Sequence, residues 1–244
     1  MEIKSKLKNL VKAGFNLAGV EIIRLENCPK HTLLGLRSKP FRTVIDVGAN
    51  TGQFAKYISK LLPCAKVYCF EPLPPSYIEL FRWSKTQEGR VVPCNLAIGE
   101  KAGTADMFLH EDHHTSSSLL ATTKLNEQYY PFTKNQKRII VRQSTLDAAL
   151  DEIGADLSTD ILIKLDVQGY EDRVIKGGRE TFSKASTCIL EVCLDGLYEG
   201  QCGFNNLLIM LEELGYRYVG NLEQVYGKDG HCIFLDAVFL REKI

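Results

Sequence analysis

From position 43 onward, short apolar runs alternate with longer stretches in which apolar residues return every three or four positions. Thr43 to Val47, Lys66 to Phe70 and Val91 to Asn95 read as strands, with Gly52 to Leu62 and Pro75 to Ser84 as helices between them. A run that is apolar on both faces must be covered on both faces, so the alternation predicts an α/β domain around a parallel sheet. Residues 104–142 break the rhythm. Thr104 to Leu109 and Ile139 to Arg142 look like strands, with a polar stretch carrying His113, His114 and Ser116 to Ser118 between them. Loops of that length are commonly functional. The alternation then resumes: a capping-box pattern at Ser144 to Asp147 opens a helix through Leu150, and Ile161 to Val167 is a buried strand. Helix Glu171 to Ser183, strand Thr187 to Val192 and helix Phe204 to Leu214 follow. The last two strands, Arg217 to Asn221 and Cys232 to Leu240, have no helix between them, which predicts a hairpin around Tyr226 to Gly230 and an antiparallel final strand.

Ahead of this domain (41–244) lies an extension, 1–40. Ile3, Leu7, Leu10, Val11, Phe15 and Ala18 fall near helical spacing among Lys4, Lys6, Lys8 and Lys12, a basic amphipathic helix suited to packing on the domain, on a second copy of the chain or on a membrane surface. No apolar run approaches the ~20 residues that span a bilayer. With 30 Lys plus Arg against 30 Asp plus Glu, no net field draws a polyanion, which argues against nucleic acid as partner. The 8 cysteines are scattered without a CxxC pair or a histidine at ligand spacing, so no zinc site is expected. Cys188 and Cys193 read as small core residues, and free thiols without a signal peptide point to the cytoplasm.

Candidate chemistry gathers at strand ends. Asp46-Val47-Gly48-Ala49-Asn50-Thr51-Gly52 lies where the first strand passes into a helix, the edge at which open α/β sheets bind ligands. Its glycines are spaced GxxxG rather than GxGxxG, which disfavours a dinucleotide and hence a nicotinamide oxidoreductase. Asp46 would repel a diphosphate but attract the ammonium and sulfonium of S-adenosylmethionine. Glu71 closes the second strand, 25 residues further on, where a carboxylate can accept both hydroxyls of a ribose. Asp166 and Glu191 end two later strands on the same edge. One reading of Asp166 pairs it with Lys164 on the same strand face; the other sets it beside the reacting groups. Asp166, Glu191, His113 and His114 are the candidate bases for removing a hydroxyl proton.

The segments VIDVGANTGQFA, FEPLPPSY, NLAIGE, TSSSLL, IKLDVQGYEDRVIKGG and ILEVCLDGLYEGQ, with LEELGYRYV, closely resemble the FkbM-type methyltransferases in the same order along the chain. The resemblance implies a Rossmann-like class I methyltransferase fold, a seven-stranded mostly parallel sheet with an antiparallel last strand, and S-adenosylmethionine as donor with S-adenosylhomocysteine as product. It implies a cofactor loop containing Asp46, Gly48, Asn50 and Gly52, with Glu71 on the ribose. Asn95 and Ala97 would lie by the adenine, Ser117 and Ser118 near the cofactor, and Asp166 with Glu171 in the motif after the fourth strand. That motif usually reads DVEG; here Gln168 stands in place of the Glu. O-methylation of a hydroxyl on a saccharide, glycolipid or other small metabolite is what the resemblance implies. The departure at Gln168 motivates an alternative, a protein that binds the cofactor without turnover.

Overall fold

A computed structural model describes residues 11–111, 113–157 and 160–241. Its main sheet has seven strands: β1 (Thr43–Val47), β2 (Lys66–Phe70), β3 (Val91–Cys94), β7 (Ile161–Leu165), β8 (Thr187–Cys193), β9 (Tyr216–Tyr226) and β10 (Cys232–Arg241). They lie in the order β3-β2-β1-β7-β8-β10-β9. The first five run parallel, while β10 inserts antiparallel between β8 and β9. The antiparallel last strand expected from the missing helix is borne out, and the expected fold class with it.

Every residue of β1 and β7 is buried, because helices cover both faces. Alternate residues of a strand face opposite sides. Ile45, Val47, Ile163 and Leu190 pack in one core cluster with Leu146, Leu150, Val174, Phe182, Leu207 and Leu211 of the helices α4 (Leu146–Glu152), α5 (Glu171–Gly177), α6 (Arg179–Lys184) and α7 (Phe204–Glu213). Val44, Val67, Leu162, Ile189 and Val238 pack on the other side with Ala55 and Ile58 of α1 (Gln53–Leu61) and Leu80 of α2 (Pro74–Ser84). Asp46, Lys164, Glu191 and Asp236 share the parity of this second face.

Several expected elements shift. The helix expected over Glu171 to Ser183 is two helices, because the backbone leaves helical geometry at Gly178 (φ −124°, ψ 19°); beside it Gly177 packs so closely on Gly99 that a Cβ would lie 2.0 Å from the Gly99 carbonyl oxygen. The cap of α4 is Thr145, whose hydroxyl accepts from the Ala148 amide, and not Ser144, which ends β6 (Lys137–Ser144). Asp147 instead accepts from the Thr181 amide and hydroxyl at the start of α6. The stretch 104–142 supplies most of β5 (Gly103–Leu109) and β6, which form a second sheet with β4 (Ala97–Ile98) in the order β4-β6-β5, and α3 (Lys124–Tyr129). Thr123 caps α3 and also donates to the Gly196 carbonyl 2.6 Å away, tying α3 to the loop after β8.

Residues 11–17 are helical, and residues 1–10 of the expected N-terminal helix lie outside the described residues. Packing against the domain begins at Leu33 and Leu36, which join the second core cluster. The cysteines are all free thiols, with Cys69, Cys188 and Cys193 buried. No helix among the described residues is long and apolar enough to cross a membrane.

Candidate active site

Two neighbouring cavities open at the carboxyl ends of β1, β7 and β8. The larger, about 270 Å³, is walled by Asp46, Gly48, Asn50, Glu71, Ala97, Ser117, Ser118 and Asp166, so eight positions singled out from the sequence line one space. The turn that builds it is tight. Gly48 has φ +83°, and a Cβ there would lie 1.9 Å from the Asp166 carbonyl oxygen. Gly48→Ala should therefore cost about 3 kcal/mol or more, because overlap adds to backbone strain. Gly89 has a similar φ of +79° with nothing within 4 Å of its Cβ position, so Gly89→Ala should cost only the strain, about 1 kcal/mol. Urea melts of the two variants check this; equal losses would rule out the close approach as the cause.

Asp46 is 1% exposed, and its Oδ2 has no hydrogen-bond partner among the described residues. Burial, opposed by the Lys164 ammonium and helped by the Asp166 and Glu71 charges, pushes its carboxyl up to about 7. Glu71 is held in place, its Oε2 accepting from the Asn50 amide and its Oε1 from the Leu73 amide, both at 2.8 Å. Burial raises it too, to about 7, against the lowering effect of those two amides. Each oxygen keeps a lone pair for a further donor. An orphaned carboxylate oxygen and a second carboxylate with free acceptor capacity suit a cationic nucleoside with a ribose diol.

Two of the expected cofactor residues stand outside this wall. Asn95 is exposed, and its amide donates to the Glu71 and Pro72 carbonyls, so it braces the strand end while Leu96 and Ala97 face the cavity. Gly52 caps α1 at φ +87° and packs on Leu80. Ser117 and Ser118 do structural work as well: the Ser117 hydroxyl accepts from the His110 amide, and the Ser118 hydroxyl donates to the Gln168 carbonyl at 2.7 Å.

Glu191 faces the second cavity, about 180 Å³, together with Cys193, Tyr198 and the α3 side of the molecule. Among the titratable side chains of the two cavities, Asp166 alone lines both. Gln168 sits between them at φ +56°. Its Nε2 donates to Asp166 Oδ1 at 2.8 Å and also to Glu191 Oε1, while its Oε1 accepts from the Tyr198 hydroxyl. Lys164 lies beneath, 3.5 Å from Asp166 and 3.2 Å from Asp236, so the ion pair considered for Asp166 exists and is shared. Burial alone would lower the Lys164 ammonium, but the surrounding carboxylates of Asp166, Asp236 and Glu191 outweigh it and hold its pKa up. Burial and the Asp166 charge raise Glu191 well above the usual carboxylate range, with Lys164 opposing. Glu171, pushed up to about 7 by burial, accepts from the Val167 and Gly169 amides and fixes the loop carrying Gln168.

The two histidines part company. His114 lines the first cavity, with Nδ1 3.4 Å from the Ser76 hydroxyl, while His113 lines the second and stacks on Phe132 at 4.5 Å between ring centres. Sequence reasoning missed Tyr130, Phe132 and Tyr198, whose aromatic character was visible but whose convergence depends on the tie between α3 and the loop after β8.

The sheet order, the strand-end turn and the carboxyl-edge cavity define a class I methyltransferase fold. The family profile described as the methyltransferase FkbM domain matches residues 46–218, and the chain belongs to that family. It is 30% identical over 184 residues to 2-O-methyltransferase NoeI of Sinorhizobium fredii, covering 73% of this chain and 74% of that one. It is 27% identical over 169 residues to methyltransferase sdnD of Sordaria araneosa, covering 60% and 63% respectively. Among solved structures, methyltransferase FkbM from Methylobacillus flagellatus superposes with a TM-score of 0.51 at 13% identity, over 82% of this chain and 44% of that one.

Proposed function

We propose that this protein is an S-adenosylmethionine-dependent O-methyltransferase acting on a hydroxyl of a saccharide or other small polyhydroxylated metabolite. Similarity to a relative named as a 2-O-methyltransferase supports a hydroxyl acceptor. Bound in the larger cavity, the cofactor would supply a methyl group made electrophilic by sulfonium. Asp46 would face its positive charge, Glu71 its ribose hydroxyls, and Gly48 with Asn50 would leave room along the turn. The observation that carries the reading is the position of Asp166, which lines both cavities, so that its carboxylate could take a proton from a hydroxyl presented by the second toward the first. Binding without turnover was motivated by Gln168. Its amide satisfies both neighbouring carboxylates, which favours an assembled site over a degraded one.

Calorimetric titration with S-adenosylmethionine and S-adenosylhomocysteine, with NADH as control, tests the cofactor; binding of NADH alone would overturn the reading. In the same assay Glu71→Ala should lose about 1.5–3 kcal/mol for each ribose hydrogen bond removed, roughly ten- to hundredfold in affinity per bond. The loss should be fuller at pH 8 than at pH 6. With the free-protein pKa near 7, Glu71 is largely protonated at the lower pH, and cationic-ligand affinity should rise through neutrality as the proton leaves. A loss independent of pH would contradict that carboxylate role.

A further inference from the structure

We infer that the second cavity is the acceptor subsite and that it selects a single neutral pyranose ring over anionic sugars. The inference rests on the methyltransferase reading above but reaches further, because it fixes place, size and charge. At about 180 Å³ the cavity is smaller than the ~300–1,000 Å³ of drug-sized pockets, so it houses one ring and leaves any further sugar units in solvent.

Its walls alternate in kind. Tyr130 and Phe132 stand 5.8 Å apart between ring centres at 43°, and His113 stacks on Phe132, which makes an aromatic rim on the α3 side. The same cavity is lined by Glu191 and Asp166, linked by the Gln168 amide, which in turn accepts from the Tyr198 hydroxyl. A pyranose has the complementary build: carbon-bound hydrogens present an apolar face to an aromatic ring, and hydroxyls at the edge donate to carboxylate oxygens.

Charge decides against an acidic sugar. Among the described residues no lysine or arginine lines this cavity, and the Lys164 ammonium beneath Asp166 is already shared between Asp166 and Asp236. A carboxylate or a phosphate brought against Asp166 would meet like charge, with no lysine or arginine among the lining residues to compensate it.

The test uses the full chain saturated with S-adenosylhomocysteine and titrated with the methyl α-pyranosides of glucose, galactose and mannose, with D-glucuronate as the anionic probe. Saturation-transfer NMR reads which ring hydrogens meet the protein, and the titration gives Kd. At least one neutral glycoside should bind about tenfold or more tightly than glucuronate, as loss of an uncompensated repulsion implies. Tyr130→Ala and Phe132→Ala should each weaken it by about tenfold through the lost aromatic face, with S-adenosylhomocysteine affinity unchanged. Phe132 is 38% exposed, so its truncation leaves the fold intact. Equal or tighter glucuronate binding, failure of all three glycosides, or unchanged affinity in both variants would overturn the subsite while the cofactor reading stands. Failure of the cofactor itself to bind would overturn the methyltransferase reading instead.

Discussion

Asp166→Asn should lower kcat by roughly a hundredfold to ten-thousandfold, the range lost when a positioned proton acceptor is removed. The substitution keeps size and shape, and Lys164 keeps its 3.2 Å contact with Asp236, so the sheet edge should hold. Affinity for S-adenosylhomocysteine should change by no more than about threefold, because the charges assigned to the cofactor are those of Asp46 and Glu71. A second readout follows from the same geometry. Desolvation is the main cause of the raised carboxyls of Asp46, Glu71 and Glu171, but the Asp166 charge adds to each, so all three should titrate lower in the variant. Carboxyl-carbon NMR titration would show it. If kcat and cofactor affinity fell together, Asp166 would be a cofactor residue and not the base.

Much of the fold is legible in the order of residues, for a reason that also explains the failures. The strands β1 and β2 have the bounds that their apolar runs predict, because covering both faces makes most of their positions apolar: Val44, Ile45 and Val47 in β1, Val67 to Phe70 in β2. The helix break at Gly178 is not legible, since the apolar period runs on through it and the close packing of Gly177 on Gly99 joins positions far apart in the chain. Nor is α3, whose six residues carry too few apolar positions for a helical period to show; its cap and its tie to Gly196 hold it.

The site divides in the same way. The cofactor side is built from one turn and the ends of adjacent strands, so Asp46, Gly48, Asn50 and Glu71 can be read from a short stretch. The second cavity is assembled by elements distant in sequence, and Tyr130, Phe132 and Tyr198 carry no local mark of it. Glu191 was visible as a charge at a strand end, yet only the register that sets it opposite Asp236 and within reach of Gln168 gives it neighbours.

On the proposed mechanism Gln168 would act as a positioning residue, and two substitutions should separate what its amide does. Gln168→Leu removes both donated hydrogens and the acceptor of Tyr198, leaving buried polar groups unmatched at about 1–3 kcal/mol each. It should lower stability by about 3 kcal/mol and kcat by about a hundredfold at every pH, since Asp166 loses its fixed orientation whatever the protonation state. Gln168→Glu restores the residue usual in the family motif, but a carboxyl can donate only while protonated, and then one hydrogen instead of two. Four carboxyl groups, those of Asp166, Glu191, Asp236 and the new side chain, would then surround a single ammonium. Like charges hold such a proton to higher pH, so near pH 6 the variant should match the wild type within a few-fold. As pH rises and the proton leaves, mutual repulsion should open the cluster, and the ratio of wild-type to variant kcat should climb to about tenfold or more by pH 8.5. Acceptor KM should rise with it while S-adenosylhomocysteine affinity stays level, because Glu191 faces only the second cavity. A ratio flat across pH would mean that residue 168 fills space between the carboxylates without holding them by hydrogen bonds.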